Sequence, residues 1–247
     1  MNCQGNHNPR RGGHAKLLKE VTELNSDLLE CIEINPAGQP TATIIWLHGL
    51  GADGHDFEAI VPELRLPESL AVRFVFPHAP ERSVTINAGL RMRAWFDILD
   101  LRHRADSVDM DQFLESGDML KALINLELKS GMPSERIVLA GFSQGGAIVL
   151  HTGLLYPKQL AGILAMSMHL PGINNLADEL SPASREIPIM MAHGQMDPVI
   201  PVARAIETRQ ELTRMDYAVD WHEYPMQHTV CADEIREIRS WLLQILK

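Results

Sequence analysis

Short apolar runs recur along this chain and alternate with segments of helical period, and that alternation narrows the possible folds more than any other feature. The runs are 28–34 (LLECIEI), 41–47 (TATIIWL), 71–76 (AVRFVF), 136–140 (RIVLA), 160–166 (LAGILAM), 187–192 (IPIMMA) and 218–224 (AVDWHEY). Most are too short for core helices and rich in Val, Ile and Leu, as strands buried on both faces are. Between them, 109–130 repeats apolar residues at helical spacing, opens on acidic residues and closes at Gly131 with Pro133 beyond, which matches helix start and stop chemistry. Segments 146–156, 202–215 and 233–246 are helix-like too, the last with Ile235, Ile238, Leu242 and Ile245 on one stripe. Strand and helix in alternation imply a mostly parallel sheet covered on both faces. The first two runs, separated by NPAGQP, suggest a hairpin at its N-terminal edge. No repeat or linker interrupts the pattern. The link from 166 to 187 is only about twenty residues, which leaves no room for a large helical lid.

Composition excludes several classes. Lys and Arg total 22 against 32 Asp and Glu, a net charge of −10. With no basic run beyond Arg10-Arg11, nothing marks a nucleic-acid or anionic-membrane surface. The three cysteines, Cys3, Cys31 and Cys231, are widely spaced and suit free thiols in a reducing compartment. There is no apolar run of spanning length, and the first residues lack the apolar core of a secretory signal. The expectation is a cytoplasmic protein with a flexible tail at 1–24 and one α/β domain over 25–247.

Three motifs carry chemistry. Gly141-Phe142-Ser143-Gln144-Gly145 matches G-x-S-x-G and lies where the run RIVLA meets the helical segment GAIVLHTGLLY. That junction can hold a nucleophilic serine on a strained turn, with glycines on either side removing Cβ clashes and the helix N-terminus aimed at it. The second motif, LHGLGADG at 47–54, contains a literal G-x-G-x-x-G. A dinucleotide site needs an acid at the end of the next strand, yet AVRFVF ends in Pro77-His78. The better reading is an esterase-type loop that supplies a backbone N–H to an oxyanion hole. His48, Asp53, His55 and Asp56 in or beside it match no metal-ligand spacing.

The third motif is a downstream pair. Asp197 follows IPIMMA and His228 follows AVDWHEY, so both lie just past the carboxyl ends of strands, where open α/β sheets gather their sites. The order Ser143, Asp197, His228 is nucleophile, acid, histidine. His193, His222 and His151 compete for the base, and Glu223, Asp178 and Asp233 for the acid, but none of these acids has the strand-end position of Asp197.

Together LHGLGADGHDF (47–57), FPHAPERSVTINAGLRMRAWFDI (76–98), GFSQGGAI (141–148), HGQMDPVIP (193–201) and YPMQHTVCADEI (224–235) make the chain resemble the phospholipase/carboxylesterase family of α/β-hydrolases, of carboxylesterase and acyl-protein thioesterase type. The resemblance runs from about residue 28 to the C-terminus. It implies an α/β-hydrolase fold, Ser143 as nucleophile, His228 as base, Asp197 as its orienting acid, and the backbone N–H groups of Leu50 and Gln144 as the oxyanion hole. Met92 and Trp95 resemble residues near an acyl pocket, although core packing accounts equally well for Trp95. The chain departs from the family at Gln227, where a glycine usually precedes the histidine, and at Met166-Ser167-Met168-His169, where a Ser-Gly pair is usual.

The function expected is cleavage of carboxylic esters of short to medium acyl chains through an acyl-enzyme, with no cofactor and no metal. An acyl-protein thioesterase or lysophospholipase is the alternative, and a non-catalytic binding protein on the same fold a remote one. The partner expected is a small-molecule ester or an acylated substrate, without nucleic acid or stable membrane insertion; a homodimer remains open.

Overall fold

The computed structural model describes residues 29–102 and 105–247; the expected tail, 1–24, and Cys3 lie outside them. Nine strands are described: β1 (Cys31–Ile34), β2 (Ala42–Leu47), β3 (Val72–Pro77), β4 (Glu81–Val84), β5 (Leu90–Arg93), β6 (Ile137–Phe142), β7 (Gly162–Met166), β8 (Ile189–Gly194) and β9 (Val219–Tyr224). Five α-helices accompany them: α1 (Ile60–Leu64), α2 (Met110–Lys129), α3 (Gln144–Leu155), α4 (Val202–Arg214) and α5 (Ala232–Ile245). The main sheet runs β1-β3-β2-β6-β7-β8-β9, parallel except for β1, while β4 and β5 form a separate antiparallel ribbon.

Alternation along the strands builds two cores. On β2, Ile45 and Leu47 join the face covered by α2 and α3, whereas Ala42, Ile44 and Trp46 join the face covered by α1 and α5. Helix α3 is buried along nearly its whole length and apolar on every side, as a helix sandwiched between a sheet and a neighbouring helix must be. Helix α2 starts at Asp109, whose carboxylate accepts the Gln112 N–H at 3.0 Å.

The expected N-terminal hairpin does not form. β1 pairs antiparallel with β3, and β3 lies between β1 and β2. The burial of the strands accounts for this. β3 is buried at five of six positions and needs neighbours on both sides, whereas β1 is half-exposed and suits an edge. Between β7 and β8 only two 3₁₀ turns occur, at Ile173–Asn175 and Pro182–Ser184, so this link contributes no helical lid. Among the described residues no helix is long and apolar enough to cross a membrane.

Candidate active site

The turn from β6 into α3 forces Ser143 to φ 55°, ψ −119°, a backbone region costing about 1–3 kcal/mol for a residue with a side chain. The flanking glycines make the turn possible. A Cβ on Gly141 would fall 2.4 Å from the Gly145 carbonyl oxygen, and one on Gly145 would fall 2.5 Å from that of Leu47. The Ser143 N–H donates to the Met166 carbonyl at 2.9 Å, fixing the elbow to the end of β7.

The three residues expected to work together meet. The Ser143 hydroxyl lies 3.0 Å from His228 Nε2, and His228 Nδ1 lies 2.6 Å from Asp197 Oδ2. Asp197 is 7% exposed, and its other oxygen accepts the N–H groups of Val199 (2.8 Å) and Ile200 (2.9 Å). With Oδ1 held by two backbone donors, Oδ2 is left facing the imidazole. Three of the rival residues are engaged elsewhere. His151 is buried in α3, edge-on to Phe113; His222 pairs with Asp220; Glu223 is exposed beside Trp221.

His193, the remaining rival for the base, does come close, but behind Asp197 and not at Ser143, a place sequence reasoning missed. It is fully buried, its Nε2–H donates to the Ile200 carbonyl at 2.8 Å, and the same nitrogen is 3.4 Å from Asp197 Oδ2. Burial lowers its pKa and keeps the ring neutral beside the acid. Its position four residues before Asp197, at the end of β8, was the signal available.

The loop after β2 borders Ser143 from the other side: a Cβ on Gly49 would lie 3.4 Å from that of Ser143. Among the described residues, neither the Leu50 N–H nor the Gln144 N–H donates to a carbonyl or side chain. Gln144 sits in the first turn of α3, where N–H groups lack intrahelical partners. Its side chain is also engaged, accepting the Trp95 N–H at 3.0 Å and donating to the Phe96 carbonyl at 2.7 Å.

A cavity of about 370 Å³ opens beside Ser143, Gln144 and His228. Its apolar wall includes Ile86, Phe96, Ile98, Val108, Ala147 and Ile200. Met92 and Trp95, expected near an acyl pocket, do not line it. Trp95 is wholly buried, with its indole N–H donated to the His48 carbonyl at 2.8 Å, so its ring is committed behind the wall. Met92 Sδ accepts from Asn87 at 3.3 Å on the β4–β5 ribbon. The neighbouring Phe96 lines the cavity instead, together with Phe142.

The two departures from the family pattern fall differently. Gln227 is exposed, and it is its carbonyl that packs against Gly194. Met168 is buried against Gly146, whereas His169 lines the cavity.

Residues 29–246 match the family model described as phospholipase/carboxylesterase. Acyl-protein thioesterase 1 of Mycosarcoma maydis is 39% identical over 235 residues, 89% of this chain and 98% of that protein. Acyl-protein thioesterase 1 of Gibberella zeae is 39% identical over 83% of this chain and 91% of its own length. Among solved structures, Arabidopsis thaliana SOBER1 superposes with a TM-score of 0.79 at 31% identity, covering 83% of this chain and 99% of that one. Zea mays acyl-protein thioesterase 2 does so with a TM-score of 0.77 at 26% identity, covering 88% and 99%. Sheet order, elbow and relatives agree: the chain belongs to the phospholipase/carboxylesterase family of α/β-hydrolases.

Proposed function

We propose that the protein is a serine hydrolase that cleaves carboxylic esters or thioesters by two-step acyl transfer. The observation that carries this is the relay from Asp197 through His228 to Ser143, ending at the mouth of an apolar cavity. In the first step Ser143 Oγ bonds to the substrate carbonyl carbon while His228 Nε2 takes its proton. The proton then passes to the departing alcohol or thiol as the acyl–oxygen or acyl–sulfur bond breaks. Asp197 holds the imidazole with Nδ1–H toward itself and stabilises the cation that forms. The Leu50 and Gln144 N–H groups receive the developing oxyanion, a donor of this kind being worth about 3–4 kcal/mol. Water enters by the same relay and releases the acid. The residues in these steps call for no metal or cofactor.

The apolar cavity suits an acyl chain of short to medium length, and a β7–β8 link without an α-helix suits a bulky leaving group. The second reading, an acyl-protein thioesterase, is favoured by relatives of that name at 39% identity. The same reading takes the chain as one catalytic domain from residue 25 onward, cytoplasmic and possessing free thiols at Cys31 and Cys231, with self-association into a homodimer open to measurement.

The direct test is Ser143→Ala. Loss of p-nitrophenyl ester and acyl-thioester hydrolysis in a folded variant is expected; retained hydrolysis overturns the assignment.

A further inference from the structure

The buried imidazole of His48 sits immediately before the loop that carries Leu50. It is 1% exposed, touches no reacting group and has no part in the acyl-transfer steps above. Its two nitrogens nevertheless have fixed and opposite roles. Nε2 lies 3.1 Å from the Ala79 nitrogen, and an amide N–H can only donate, so Nε2 must be the unprotonated acceptor. The proton therefore belongs to Nδ1, which lies 2.7 Å from the Gly49 carbonyl oxygen and donates to it. Desolvation pushes the His48 pKa down to about 4, so this neutral tautomer persists across the working range of the enzyme.

The Gly49 carbonyl belongs to the same peptide unit as the Leu50 N–H. No cis peptide occurs among the described residues, and in a trans peptide the carbonyl and the N–H point in opposite directions from one rigid plane. Holding the Gly49 oxygen toward the imidazole therefore turns the Leu50 N–H away from it. Gly49 and Leu50 both line the cavity shared with Ser143 and Gln144. The next residue adds a second anchor, since the Gly51 N–H donates to the Arg93 carbonyl at 2.8 Å.

We propose that His48 is a positioning residue that locks the Gly49–Leu50 peptide through its Nδ1–H, so that the Leu50 N–H stands ready for the oxyanion. The inference rests on the hydrolase reading and on Leu50 as one of its two donors. Without the lock the Gly49 carbonyl keeps only the longer bond from the Ala52 N–H, at 3.3 Å, so the peptide is held less firmly and the oxyanion meets a donor that must first be oriented. The cost falls on the transition state, where the charge develops, and not on ground-state binding.

Two substitutions separate this role from packing. In His48→Asn the side-chain amide nitrogen occupies the place of Nδ1 and can still donate to Gly49. In His48→Gln the amide reaches the place of Nε2, so its oxygen can accept from Ala79 while the donor to Gly49 is lost. With a p-nitrophenyl ester, His48→Gln is expected to lower kcat by roughly ten- to a hundredfold, part of the loss caused by deleting an oxyanion donor, with KM nearly unchanged. His48→Asn should recover most of that loss. Wild-type kcat in His48→Gln, or equal losses in both variants, overturns the proposal. If neither variant folds, the long-range ¹⁵N–¹H spectrum of the wild-type enzyme decides. A proton on His48 Nδ1 throughout about pH 5 to 8 supports the lock, and a proton on Nε2 overturns it. The outcome is separable from the hydrolase reading: an inactive Ser143→Ala beside an unimpaired His48→Gln removes the lock alone, whereas an active Ser143→Ala removes the reading beneath it.

Discussion

The indole N–H of Trp95 donates to the His48 carbonyl at 2.8 Å, joining the segment after β5 to the loop after β2. The Trp95 backbone N–H is taken by the Gln144 side chain, and its carbonyl by the Ser116 hydroxyl. One buried residue thus ties together the glycine loop, the nucleophile elbow and helix α2. Trp95→Phe keeps most of the ring volume but strands the His48 carbonyl, which costs about 1–3 kcal/mol when buried. The expected result is a lower melting temperature and a reduced kcat, with the acyl-chain preference unchanged. A shifted chain-length optimum would return Trp95 to the pocket.

Asp197 differs from an ordinary turn-forming aspartate in having one oxygen saturated by backbone donors and the other aimed at His228. Asp197→Asn preserves the first set of bonds, since its amide oxygen can still accept from Val199 and Ile200. It then presents an NH₂ group to His228 Nδ1, which turns the imidazole proton onto the nitrogen that must accept from Ser143. A fall in kcat of about a hundred- to ten-thousandfold is expected with KM little altered. A variant retaining wild-type kcat would place the acid elsewhere.

The relay was legible in the sequence because its three members sit at strand ends, and the strands announced themselves as short apolar runs. The β4–β5 ribbon was not: ERSV carries no apolar alternation, and LRMR alternates over only four residues, none of them buried. The order of β1, β3 and β2 was hidden for another reason. Pairing partners are chosen by burial on both sides of a strand, and NPAGQP looks the same whether it closes a hairpin or steps over a neighbour. The role of His48 was hidden because its tautomer is set by the Ala79 N–H, which arrives from thirty-one positions away.

The cavity predicts chain-length selectivity. Each methylene moved from water into its apolar wall contributes about 0.8 kcal/mol, so kcat/KM should rise roughly fourfold per methylene until the space is filled. Val108 lies in that wall and is buried. Val108→Phe should move the optimum to shorter chains while leaving acetyl esters near wild type. A series of p-nitrophenyl esters and matched thioesters measures both effects. A steep optimum at long thioesters would favour the acyl-protein thioesterase reading over the short-chain esterase.

Glu234 gives the protein a pH-dependent stability outside the active site. It stands in the first turn of α5, wholly buried, where burial raises its pKa from 4.5 to about 8 despite the opposing Cys231 N–H. Tyr224 faces it, its phenol likewise pushed up by burial and by Glu234. The folded chain therefore keeps a proton that the unfolded chain has released. The contribution is fully present below about pH 4.5 and is lost as pH rises toward 8, with a slope of at most about 1.4 kcal/mol per pH unit. Glu234→Gln, which stays neutral at all pH, should match wild type near pH 5 and exceed it in melting temperature by a margin that widens toward pH 8. Denaturant unfolding at several pH values checks this. A constant difference between the two proteins would mean that Glu234 is already ionised in the fold.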